Sequence, residues 1–244
     1  MTEPSPSDTI LPLVFDRVGL RVGGVLLLDE ISLCLQSGTR SVILGPNGSG
    51  KSLSLRLAHG LLKPTTGRID WSHGDARERA LRQAMVFETP VLLRRSARAN
   101  VEYALALHGI PRADRRARAV DFLERTGLGP LAERRARVLS AGERQRLALA
   151  RAWATDPEVL FLDEPTAALD PRATRAVEEL ILSISEAGTK IVMTTHDLLQ
   201  ARRIADEVLF FCEGRLLECS EAAQFFELPE SDEARAFLRG DLSW

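Results

Sequence analysis

Residues 41–44 read Ser-Val-Ile-Leu, the next eight are Gly45-Pro46-Asn47-Gly48-Ser49-Gly50-Lys51-Ser52, and a helical pattern starts at Leu53. A strand, a glycine-rich loop and a helix in that order constrain this chain more than any other stretch. The spacing G-x-x-x-x-G-K-[ST] curls backbone N–H groups from Asn47 to Lys51 around a phosphate at a helix N-terminus. Gly45, Gly48 and Gly50 let the backbone approach the anion, with Pro46 and Ser49 completing the loop. Lys51 is placed to reach the β- and γ-phosphates, and Ser52 to offer a hydroxyl to Mg²⁺. The bland alternative is a glycine-rich turn with an incidental lysine. The strand before it and the helix after it argue for the nucleotide.

With 244 residues, 45% hydrophobic and 27% charged, the chain is long enough for one large α/β domain or two small ones. Its net charge of −2 gives no bulk attraction to nucleic acid, and none is expected as a partner. Cys34, Cys212 and Cys219 are odd in number and lack zinc spacing, which fits a reducing compartment. Residues 1–12, with Pro4, Pro6 and Pro12, read as a loose N-terminal tail, and residues 13–244 as a single domain. No window of about 18 apolar residues is present, so the chain is not expected to cross a membrane by itself.

In order, residues 13–20 and 26–35 read as an antiparallel strand pair around Val22-Gly23-Gly24. The helix from Ser52 should end near Gly60, and Ile69 to Trp71 form a short strand. Residues 77–84 are helix-compatible and Met85 to Phe87 a strand. From about 91 to 150 the pattern is helical and arginine-rich, a helical subdomain inserted into the α/β core. Arg112 to Arg118 and Arg134 to Arg137 are interleaved with acids, which favours a solvated helix face over a nucleic-acid patch. Val159 to Leu162 has the all-apolar character of a buried parallel strand. A helix over 171–187, a strand over 191–195, a helix over 197–205, a hairpin around Glu213-Gly214 and two short helices follow.

Asp163 and Glu164 end the buried strand. In a phosphate-loop protein such a pair divides its work, Asp163 holding Mg²⁺ through its water shell and Glu164 orienting the attacking water. Between the two motifs lies Leu139-Ser140-Ala141-Gly142-Glu143-Arg144-Gln145, which resembles the LSGGQ signature of ABC-transporter ATPases. Ala168-Leu169-Asp170 looks like that family's D-loop, and His196, directly after a strand, like its switch histidine. The resemblance runs from Leu13 onward in the family's order.

That resemblance implies a P-loop NTPase, RecA-like core with an N-terminal antiparallel β-subdomain and the inserted helical subdomain. It implies ATP and Mg²⁺ as ligands and Lys51, Glu164 and His196 as catalytic groups. Two chains would pack head to tail as a homodimer, with Ser140, Ala141, Gly142, Glu143 and Asp170 of one completing the phosphate site of the other. Three positions depart from the family's pattern. Val22 stands where an aromatic residue usually stacks on adenine, which implies weaker nucleotide affinity. Glu88 replaces the Q-loop glutamine and still offers an oxygen to Mg²⁺. Ala141 replaces a signature glycine.

A single ATPase unit without a fused membrane domain implies a separate permease at the cytoplasmic membrane face and, indirectly, an external substrate-binding protein. Pro90 to Ser96, Ala99-Asn100-Val101, Gln200 to Arg203 and Phe237 to Gly240 look most like subunits for tungstate or related oxyanion import. Another importer, a two-component exporter, and a catalytically weak nucleotide-sensing regulator are the alternatives.

Overall fold

The computed structural model describes residues 9–241. The chain forms two compact units: residues 1–76 with 190–244, and residues 77–189. The first begins with β1 (Leu13–Val22) and β2 (Val25–Leu35), antiparallel about the Gly23-Gly24 turn, where both glycines have positive φ. β1 buries Leu13, Phe15, Val18 and Leu20, and β2 buries Leu28, Ile31 and Leu35. Next come β3 (Arg40–Leu44), α1 (Lys51–His59) and β4 (Thr66–Trp71), the last pairing antiparallel with β1.

Part of the expected tail is packed. Residues 1–8 lie outside the described residues. Ile10 and Leu11 are buried, and the Ser72 N–H donates to the carbonyls of Ile10 and Pro12. Two adjacent apolar side chains removed from water account for this, at about 1.5–3 kcal/mol each.

The second unit contains α2 (Ala76–Arg82, entered one residue earlier), β5 (Gln83–Val86), α3 (Ala97–Leu107), α4 (Arg112–Arg125), α5 (Ala141–Trp153), β6 (Val159–Asp163) and α6 (Pro171–Glu186). β6 is buried at all five positions and runs parallel to β5. Helices α3, α4 and α5 pack on one another, with Phe122 of α4 edge-on to Trp153 of α5. α6 buries Val177, Leu180, Ile181 and Ile184, one face at helical spacing. Ala187 caps its C-terminus, followed by Gly188 with φ 101°.

The chain then returns to the first unit with β7 (Lys190–Thr194), α7 (Leu198–Ile204), β8 (Glu207–Cys212), β9 (Arg215–Glu221), α8 (Ala222–Glu227) and α9 (Asp232–Arg239). Here β3 lies between β7 and β8, parallel to both, and β9 is antiparallel to β8. The strand beginnings are clamped by a polar cluster. The buried Lys190 ammonium donates to the Thr39 and Ser41 hydroxyls, both at 2.6 Å, and lies 3.2 Å from the Glu207 carboxylate. Beside it, Arg40 and Asp206 pair at 2.6 Å. The opposite ends of β3 and β7 are thereby left for the loops that carry chemistry.

Candidate functional site

Gly45 leaves β3 at φ 149°, and a Cβ there would lie 2.0 Å from the Phe211 carbonyl oxygen of β8. Only glycine allows this close approach, so the loop is seated directly on the sheet. Its far side is braced by the turn after β8: the Gly214 N–H donates to the Ser49 carbonyl, and the Asp29 N–H to the Gly214 carbonyl. An Arg215–Asp29 ion pair at 2.7 Å holds that turn to β2.

Within the loop, Lys51 is 5% exposed, and its ammonium donates to the carbonyls of Gly45 and Pro46, each at 2.9 Å. Asn47 and Gly48 are exposed, and open space lies where a Gly48 side chain would stand. Gly50 caps α1 at φ 101° with no side-chain hydrogen bond, and no acid occupies the first turn. Buried Ser49 has a hydroxyl without a partner among the described residues. A helix start left uncapped by side chains, a nearby ammonium and an orphaned hydroxyl form a fitting receptor for a phosphate chain. Half-buried Ser52 sits one residue into the helix.

In the same unit, β7 pairs with β3 so that Thr194 opposes Ile43, and Thr195 N–H donates to the Ile43 carbonyl. His196 is therefore delivered, exposed, at the end of the strand neighbouring the loop. Asp197 fixes the next turn by accepting from the Leu199 and Gln200 N–H groups. Val22, 56% exposed, ends β1 at the hairpin tip.

The remaining candidates belong to the second unit. Asp163 is the buried last residue of β6. Glu164 follows with φ 43°, a left-handed conformation that costs a non-glycine residue about 1–2 kcal/mol. Since Val86 opposes Leu162 in the parallel β5–β6 pair, exposed Glu88 and half-buried Glu164 each stand two residues beyond one rung. The structure thus brings these two carboxylate residues to the same end of adjacent strands. Asp170 caps α6, accepting from the Arg172 and Ala173 N–H groups.

At the start of α5, Ser140 and Glu143 form a reciprocal capping box. The Ser140 N–H donates to the Glu143 carboxylate at 2.7 Å, and the Glu143 N–H to the Ser140 hydroxyl at 3.2 Å. The Ser140 backbone bond is the main cause holding Glu143 below its ordinary 4.5. Ala141 is exposed, while Gly142 is buried where an added Cβ would lie 2.7 Å from the Ala173 side chain of α6. Sequence reasoning missed both features. The Ser-x-x-Glu spacing carried the first signal; nothing local announces the second.

Among the described residues, no group of three or more His, Cys, Asp or Glu side chains is placed to hold a metal ion alone. The donor types present, the Ser52 hydroxyl and individual carboxylates, suit Mg²⁺ that takes further ligands from phosphate and water. No described helix is long and apolar enough to cross a membrane.

The profile of the family described as "ABC transporter" matches residues 28–167. "Methionine import ATP-binding protein MetN" of Nocardia farcinica is 40% identical over 222 residues, covering 87% of this chain and 66% of that protein. "Tungstate uptake system ATP-binding protein TupC" of Peptoclostridium acidaminophilum is 37% identical over 205 residues, covering 84% of this chain and 94% of that protein. Among solved structures, cbiO1 from Clostridium perfringens, part of the ABC transporter complex cbiONQ, superposes with a TM-score of 0.80 at 28% identity, covering 88% of this chain and 90% of that one.

Proposed function

The chain belongs to the ABC transporter family, and we propose that it hydrolyses ATP to energise a separate membrane permease that imports tungstate or a related oxyanion. The ATP-binding subunits of the family's import systems are ATPases, so the reading as a catalytically weak regulator gives way. The observation that carries the enzymatic reading is the glycine loop seated on β3 and β8, with Lys51 inside it and α1 left without a side-chain cap.

In this reading Lys51 and the loop N–H groups from Asn47 to Ser52 bind the phosphates, and His196 contacts the terminal one. Ser52, Asp163 and Glu88 would hold Mg²⁺, whose charge offsets that of the phosphate chain. Glu164 accepts hydrogen bonds from water and orients it, a role worth about 10²–10⁴ in rate for a general base. Val22 offers the base an aliphatic surface, which forgoes the roughly 0.5–1.5 kcal/mol that aromatic stacking adds beyond area burial. A second chain supplies Ser140, Ala141, Gly142, Glu143 and Asp170, so a homodimer is the active species, at the cytoplasmic membrane face. An external substrate-binding protein delivers the cargo.

For cargo, the tungstate relative supports the oxyanion reading. The methionine relative, slightly more identical, supports a second one. The experiment compares tungsten content and labelled methionine uptake in source cells carrying the intact chain or Lys51→Ala at low external cargo. Selective loss of tungsten is the expected result. Loss of methionine uptake alone would replace it with the second reading.

A further inference from the structure

The second unit contains a cavity of about 420 Å³ that none of the proposed catalytic roles uses. Its walls are the segment entering α3, α3 itself and the first turn of α4, and they carry Arg95, Arg98, Arg112, Arg115 and Arg116. On α4, positions 112, 115 and 116 share a face through their i, i+3, i+4 spacing. Asp121, further along, pairs instead with Arg125. Of the acids interleaved in the sequence, Asp121 is thus engaged by Arg125, whereas Glu133 pairs with Arg98 of the cavity wall.

The guanidinium groups are in different states. Arg98 is committed to carboxylates, donating to Glu133 at 2.6 and 3.2 Å and to Glu102. Arg115 is anchored by its Nε on the Ile110 carbonyl at 2.7 Å, which fixes its direction. Arg95 lies over the Tyr103 ring, 5.8 Å from the centroid. Arg112 and Arg116 are exposed, and their guanidinium groups form no side-chain hydrogen bond or ion pair among the described residues, although Arg116 lies near enough to the Arg98-bound Glu133 to help hold that carboxyl below its ordinary range. Glu102 is the sole acid of the wall, and Arg98 already holds it.

Gathering like charges in a concave site costs free energy, and anions with several oxygens relieve it through forked guanidinium hydrogen bonds. The volume lies in the range of small-molecule sites. We propose that this cavity binds a polyphosphate-bearing small molecule, its phosphates bridging Arg95, Arg112, Arg115 and Arg116. This site is built from the second unit and the glycine loop from the first, and the proposal stands whichever cargo the transporter carries.

The test uses the full chain with the glycine loop saturated by a non-hydrolysable ATP analogue in excess Mg²⁺, titrated calorimetrically with inorganic tripolyphosphate. One additional site per chain is expected, with affinity falling steeply as salt rises. The Arg112→Gln, Arg116→Gln variant should lose about tenfold or more in affinity, while ATP turnover without tripolyphosphate stays unchanged. Competition by GDP stronger than by pyrophosphate would identify a nucleotide as the source of the phosphates; equal competition would identify an inorganic chain. No additional site, or equal affinity in the variant, would overturn the proposal.

Discussion

The starts of α1 and α5 show two ways of treating the same electrostatic problem. Both expose N–H groups with no partner inside the helix. At α1 the cap is Gly50, which brings no side chain, and the first turn holds Lys51 and no acid. At α5 the Ser140 and Glu143 side chains fold back onto the backbone, so the helix carries its own anion. The first is built to receive negative charge from outside. The second is stable without it, and any phosphate it meets has to share donors with Glu143.

This contrast predicts a descending series of effects. Gly45→Ala should be the most damaging, because the new methyl meets a backbone carbonyl at 2.0 Å in a positive-φ conformation. We expect about 2–3 kcal/mol of lost stability and loss of nucleotide binding, measured by urea unfolding and a nucleotide titration. Gly142→Ala confronts a side-chain methyl at 2.7 Å instead, and about 1–2 kcal/mol is expected with nucleotide binding by the single chain retained. If it abolished that binding, the separation of the two helix starts would fail.

Ser140→Ala removes the α5 cap and should cost about 1 kcal/mol, visible as a lower urea midpoint. Glu143→Gln preserves the box in neutral form and should change stability by less than about 0.5 kcal/mol. If the proposed ATP-dependent homodimer places Glu143 beside the partner's phosphate, this variant should also strengthen dimerisation, because one carboxylate is gone; weaker dimerisation measured by light scattering would show that Glu143 assists closure. The smallest effect is in pH. Glu143 is depressed below 4.5 in the folded chain, so its contribution is present above that value and lost as pH falls through the folded value. The stability of the intact chain relative to Glu143→Gln should therefore decline only below about pH 4.5.

Much of this was legible in the sequence because it is local. The strand–loop–helix around Gly45 to Ser52, the all-apolar run before Asp163 and the glycines ending helices at positions 60 and 188 each carry their own signal. Boundaries moved where neighbours decide. β4 begins at Thr66 rather than Ile69, because Thr66 opposes Gly19 on β1, and the helix before β5 stops at Arg82 because Gln83 already pairs with Val159. Ile10 and Leu11 were hidden by the prolines around them, although two adjacent apolar residues are a poor composition for a loose tail. The meeting of Gly142 with Ala173, and of Arg95 and Arg98 with the arginines of α4, depends on how helices pack, which no single stretch encodes.

In the proposed mechanism the open start of α1 serves ATP hydrolysis, with Glu164 orienting the water. Its most direct test is steady ATP turnover by the full chain beside Glu164→Gln, with nucleotide affinity measured in both. A fall of about 10²-fold or more in rate with affinity retained is the predicted result. Equal turnover in the two proteins would contradict it.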